Sequence, residues 1–195
     1  MSLQSVNRPL GLLARRLLKL TLSAPLRWRT GLRIDHPERL PTRRQPLVLA
    51  CNHAAFTDTV YLSVAMAPRF VLCGAKPRLF RDRRRRAVMA IGNIQSVDDH
   101  PSYLAECAML LQQGELLLTY PEMGRFPDGL GEFSTWPAEV ALAAGVPVLP
   151  MYLHGTSTGH QRPVQLRVGK RLDPRGSAQQ LTDRMRTAIV GLGQL

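Results

Sequence analysis

The sequence predicts an α/β fold: a single domain with a largely parallel or mixed sheet flanked by helices, preceded by an N-terminal amphipathic helix. Two observations lead there. Short apolar runs with strand character alternate with helix-periodic segments through most of the 195 residues, and such alternation is the signature of a mostly parallel sheet. The run Pro46 to Cys51 is continuously apolar rather than alternating, as expected of a strand covered on both faces. No internal repeat and no linker long enough to divide domains is present, and the length suits one domain with a real core.

The elements follow in order. Residues 8–22 place Leu10, Leu13, Leu17, Leu18 and Leu20 on one helical arc, with Arg8, Arg15, Arg16 and Lys19 opposite and Leu12 as the exception. Such a helix suits a membrane interface, or a domain core with a solvated basic face. Trp28, between Arg27 and Arg29, favours the interface. Leu32-Arg33-Ile34-Asp35 alternates as an edge strand does. The 46–51 strand comes next, then a helix over 58–67, and short strands at 70–73 and 94–97 with an apolar helical segment at 87–91 between them. Pro101 opens a helix that Gly114 ends, and 115–120 is a leucine-rich strand. A long loop runs from Pro121 to about Thr135. A helix over 136–144 is closed by Gly145, a strand spans 147–153, a short one 166–168, and a helix 177–192 completes the chain.

Composition narrows the function classes. Apolar content of 45% and charged content of 21% are globular values. No stretch has the uninterrupted apolar length that crosses a bilayer, and arginines interrupt the N-terminal leucines, unlike a secretory signal. The three cysteines, Cys51, Cys73 and Cys107, lie in apolar segments and read as buried thiols of a reducing compartment. A Cys51–His53 nucleophile lacks any neighbour that would lower the thiol pKa. The five histidines form no metal-ligand spacing, so no metal is expected. The net charge of +12 is uneven: residues 1–45 hold ten Arg or Lys, and Arg81 to Arg86 hold five arginines around Asp82. Such a field attracts nucleic acid, an anionic membrane or a phosphate-bearing substrate. No helix-turn-helix, zinc spacing or stacking motif supports a nucleic-acid module.

Two loops carry candidate chemistry. At the end of the 46–51 strand stand Asn52 and His53, and Asp58 opens the next helix. Chain reversal there can bring imidazole and carboxylate together, fixing the tautomer through Nδ1–H and leaving Nε2 free to take a proton. Asp58 or Thr57 could equally be an ordinary N-cap, and His53 a loop histidine. The second loop, Tyr120-Pro121-Glu122-Met123-Gly124-Arg125-Phe126, is long for a compact domain, and Arg125 offers paired donors for phosphate or carboxylate. Both loops leave strand carboxyl ends, where parallel sheets bind ligands.

Together these segments resemble the 1-acylglycerol-3-phosphate acyltransferase family of glycerolipid acyltransferases. Asn52-His53 through Asp58 matches its His-x-x-x-x-Asp motif, and Lys76 to Val97 is similar to its second region. Tyr120 to Arg125 is similar to Phe-Pro-Glu-Gly-Thr-Arg, and Val146-Pro147-Val148-Leu149-Pro150 to the fourth motif. Departures are Met123-Gly124 for Gly-Thr, Phe126 for a small polar residue, Trp136 for a Gly, and Asp98 or Asp99 for an Arg. The resemblance implies a glycerolipid-acyltransferase-like fold over 31–195 behind a basic membrane-surface segment over 1–30. It implies acyl transfer from acyl-CoA or acyl carrier protein to a lysophospholipid hydroxyl, with no cofactor and no nucleic-acid partner. His53 and Asp58 would be catalytic, and Asn52, Lys76, Glu122, Gly124 and Arg125 would bind substrate. Phe56, Leu79, Phe80 and the 147–153 strand are expected to wall an acyl groove. The enzyme would sit peripherally on the cytoplasmic side of an anionic membrane. The altered third motif leaves an aminolipid, a glycolipid or a specialised metabolite open as acceptor.

Overall fold

In the computed structural model the described residues are 17, 21, 24–25, 27–41, 45–66, 71–75, 94–96, 100–156 and 163–194. Most of the expected N-terminal helix, the 87–91 segment, the arginine run and Lys76 lie outside them. Seven strands form one sheet: β1 (Arg33–Asp35), β2 (Leu47–Cys51), β3 (Val71–Ala75), β4 (Ile94–Ser96), β5 (Leu116–Thr119), β6 (Val148–His154) and β7 (Gln165–Val168). Their order is β1-β7-β6-β2-β5-β3-β4. Every neighbouring pair is parallel except β6 with β7. Among the described residues the α-helices packed with this sheet include α1 (Asp58–Ala65), α2 (His100–Gln112), α3 (Trp136–Ala144) and α4 (Ala178–Gly193).

β2 is central and shows why its sequence is unbroken in apolar character. Val48 and Ala50 face one core, with Cys107 and Leu111 of α2, Val140 of α3 and Met185 of α4. Leu47, Leu49 and Cys51 face the other, with Tyr61 and Leu62 of α1. All five β2 residues are fully buried. Covering both faces removes the polar alternation of a half-exposed strand. α4 is different, because only one of its sides is covered: Leu181, Met185 and Ile189 are buried at helical spacing. Its start is fixed by a reciprocal capping box, in which Ser177 Oγ accepts from the Gln180 N–H and Gln180 Oε1 accepts from the Ser177 N–H. α3 ends as its sequence predicts, with Gly145 in the left-handed region at φ 67°.

Of the residues expected to wall an acyl groove, Val148, Leu149 and Met151 of β6 are fully buried. Phe56, by contrast, is exposed.

Strand register brings the two candidate loops together. Ala50 of β2 is level with Thr119 of β5, and Cys51 with Met151 of β6. The chain therefore leaves β2 at Asn52-His53 directly beside Tyr120, with the end of β6 on the other side. Because Leu149 sits at the centre of this arrangement, Leu149→Ala is expected to lose about 2–5 kcal/mol of stability in urea denaturation. A loss below about 1 kcal/mol would contradict its place in the core.

Candidate active site

Asp58 is the first residue of α1 and has no exposed surface. Its Oδ2 accepts three hydrogen bonds: from His53 Nδ1 at 2.9 Å, from the Ala54 N–H at 2.8 Å and from the Ala55 N–H at 2.9 Å. The loop after β2 is wrapped around this oxygen. Neither Thr57 nor Asp58 acts as an ordinary side-chain cap: Thr57 makes no capping bond, and Asp58 reaches back to the amides that precede it. An oxygen that already accepts two main-chain N–H groups presents lone pairs to His53, so Nδ1 is the protonated ring nitrogen. Nε2 then carries the free lone pair. The His53 side chain is 17% exposed.

The loop after β5 holds the peptide of the same histidine. Glu122 Oε2 accepts from the His53 N–H at 2.9 Å, and the Phe126 N–H donates to the His53 carbonyl at 2.7 Å. Both polar groups of the His53 main chain are therefore gripped by the second loop. Glu122 is buried, and burial is the chief reason its pKa rises to about 7. Hydrogen bonds from the His53 and Gly131 amides oppose that rise, and the Asp58 charge adds to it. The Oε2 contact of Glu122 is to main chain.

The side chain of Asn52 is likewise taken up by main chain. Its Oδ1 accepts from the Leu153 N–H at 2.6 Å and its Nδ2 donates to the Leu153 carbonyl at 3.1 Å. At 3% exposure both ends of the amide are occupied by β6, so Asn52 is a staple between strand ends. Cys51 is buried, and burial pushes its thiol well up, which excludes it as a nucleophile. Gly124 and Arg125 stand in the loop, with Arg125 exposed. Lys76 lies outside the described residues.

Three features escaped the sequence. Tyr120 stacks on His53, with centroids 4.0 Å apart and planes within 13°. Met123, standing where the motif carries Gly, has φ 52°. The backbone requires the left-handed region there, and Met occupies it at a steric cost that Gly would not meet. Trp136 is buried and stacked on Tyr103 between α2 and α3, so this departure from the motif serves the core.

A family model described as Acyltransferase matches residues 31–154, well over half of the chain. The chain belongs to the acyltransferase family. Among curated relatives of this family member, a 1-acyl-sn-glycerol-3-phosphate acyltransferase of Bacillus subtilis (strain 168) is 26% identical over 148 residues, covering 72% of this chain and 71% of that protein. A chloroplastic 1-acyl-sn-glycerol-3-phosphate acyltransferase of Brassica napus is 29% identical over 126 residues, covering 61% of this chain. The match spans only 36% of that plant protein's length. The crystal structure of PlsC from Thermotoga maritima, a 1-acyl-sn-glycerophosphate (LPA) acyltransferase, shares the fold with a TM-score of 0.68 at 21% identity, over 84% of this chain and 71% of that one.

The raised Glu122 pKa has a definite sign in stability. Between its ordinary 4.5 and about 7 the folded state binds more protons than the unfolded chain. Glu122 therefore makes stability fall as pH rises through that window. Glu122→Gln retains an acceptor for the His53 N–H and removes the titration. Its stability relative to the parent is expected to be higher at pH 8 than at pH 5 by denaturation. An equal difference at both pH values would contradict the burial of this carboxyl.

Proposed function

We propose that this chain transfers a fatty acyl group from acyl-CoA or acyl carrier protein to the hydroxyl of a lysophospholipid, with 1-acylglycerol-3-phosphate as acceptor and phosphatidic acid as product. The observation that carries the reading is the 2.9 Å contact between His53 Nδ1 and a buried Asp58 oxygen that two backbone amides already hold. Family membership and the activities for which the relatives are named support it.

In this mechanism Nε2 of His53 removes the acceptor's hydroxyl proton as the oxygen attacks the thioester carbonyl. The new C–O bond forms, the C–S bond breaks, and the imidazolium returns its proton to the departing thiolate. Asp58 stabilises the imidazolium and holds its direction, as the carboxylate of a Ser-His-Asp triad does. The attacking oxygen belongs to the substrate, so no acyl-enzyme forms. Arg125, with Gly124 beside it and Lys76 from the second region, would hold the acceptor's head group, the guanidinium pairing with phosphate. Asn52 and Glu122 support the site from behind.

Both substrates partition into bilayers. The working assignment is therefore a peripheral enzyme on the cytoplasmic side of the membrane, with residues 1–30 as docking segment and 31–195 as acyltransferase domain. Leu17 and Trp28, 55% and 88% exposed, are consistent with such docking. No helix among the described residues is long and apolar enough to cross a membrane. A second acceptor class, a phosphate-free lipid or specialised metabolite alcohol, is favoured by one observation: Met123 and Phe126 present exposed apolar surface in the loop that also bears Arg125.

The test is a panel of lysolipids, with and without phosphate, supplied with acyl-CoA or acyl carrier protein. His53→Ala is expected to lower transfer by roughly 10²–10⁴-fold, and Arg125→Ala to raise KM for phosphate-bearing acceptors. Transfer that persists in His53→Ala would remove the mechanism. Equal use of phosphate-free acceptors would move the assignment to the second class.

A further inference from the structure

The geometry points to Tyr120 as a positioning residue for His53, anchored through Thr59 to the same helical turn that bears Asp58. The inference rests on the reading of His53 as general base.

A single hydrogen bond does not fix an imidazole. The Asp58 contact at 2.9 Å sets the direction of Nδ1 but leaves the ring free to tilt about that axis. A second constraint is needed on the ring's face, and Tyr120 supplies it. Its ring lies parallel to the imidazole within 13° at a centroid distance of 4.0 Å. The tyrosine is itself held at both ends. Its backbone leaves β5 beside the exit of β2, and its hydroxyl lies 3.0 Å from Thr59 Oγ1. Thr59 follows Asp58 in the first turn of α1. One turn of helix thus carries both the carboxylate that directs the imidazole and the hydroxyl that steadies its stacking partner. His53, Asp58, Thr59 and Tyr120 close a ring of contacts about the imidazole.

The hydroxyl serves this anchoring and not proton transfer. Burial is the main cause that holds the Tyr120 phenol well above its ordinary pKa, so it stays protonated. The aromatic face has a second consequence. When Nε2 takes a proton, the new positive charge lies against the electron-rich face of a ring within cation–π range. The related motif has Phe at this place, which would keep the stack without the link to Thr59. The chain's Tyr adds that link.

The experiment compares Tyr120→Leu, Tyr120→Phe and His53→Ala in steady-state acyl transfer. Displacing the imidazole from its attack geometry is expected to lower kcat of Tyr120→Leu by roughly 10–100-fold. KM should stay within about threefold, the pattern of an interaction that matters in the transition state. Tyr120→Phe should recover most of the lost kcat. An NMR readout on the folded parent is independent of how well Tyr120→Leu folds. The ring protons of His53 should be shifted upfield by the stacked ring, in the parent and in Tyr120→Phe alike. Normal kcat in Tyr120→Leu, a Phe variant as impaired as Leu, or unshifted His53 protons would each overturn the inference. If His53→Ala is itself active, the reading beneath it fails. An inactive His53→Ala beside a fully active Tyr120→Leu condemns the tyrosine's role alone.

Discussion

A carboxylate with no access to water is costly to bury unless donors surround it. Asp58 answers this at one oxygen: the Ala54 and Ala55 amides and the His53 ring all converge on Oδ2, while Oδ1 is buried with no hydrogen-bond partner among the described residues. The site's chemistry depends on this convergence. The two amides are fixed by the loop and cannot turn away, so the oxygen's lone pairs are committed before the imidazole arrives. The ring then donates from Nδ1, and Nε2 is left with the free lone pair. Loop shape and tautomer both follow from one buried carboxylate.

That convergence needs a scaffold, and the sheet supplies it through register. Ala50 level with Thr119 brings the loop after β5 alongside the loop after β2. Ala50 level with Pro150 and Cys51 with Met151 brings the end of β6 to the other side. Glu122 and Phe126 then hold the His53 peptide from one flank, while Asn52 locks onto Leu153 from the other. A shift of one residue in either pairing would reverse side-chain faces and separate these groups. The two cores on either side of β2 therefore do more than stabilise: they hold three strand ends level. The polar network at the end of the sheet buries Asp58 and Glu122, and Glu122 shows the consequence in its raised pKa.

Much of this was legible in the sequence because it follows from periodicity and punctuation. The unbroken apolar run at 46–51, the Gly145 stop and the Ser177 start each have a local physical cause, and each stands within a residue or two of its expected place. The His53–Asp58 pairing was legible for the same reason, since five residues of chain reversal suffice to form it. Long-range contacts were not. Nothing near Asn52 in sequence signals that Leu153 will occupy its amide, and nothing near Glu122 signals the His53 amide. Polar residues in a motif look alike until the register is known, so these long-range main-chain contacts could not be read from the sequence. The stacking of Tyr120 was hidden in the same way, and so was the place of the 147–153 strand between two neighbours, a property of topology.

The central claim, that Asp58 holds the imidazole of His53 with Nδ1 protonated and Nε2 basic, is tested most directly by nitrogen-15 NMR of histidine-labelled protein, with the His53 signals assigned by their loss in His53→Gln. The account predicts that the neutral ring shows a protonated Nδ1 and an unprotonated Nε2, and that Asp58→Asn perturbs this distribution. A neutral His53 with its proton on Nε2 would contradict it.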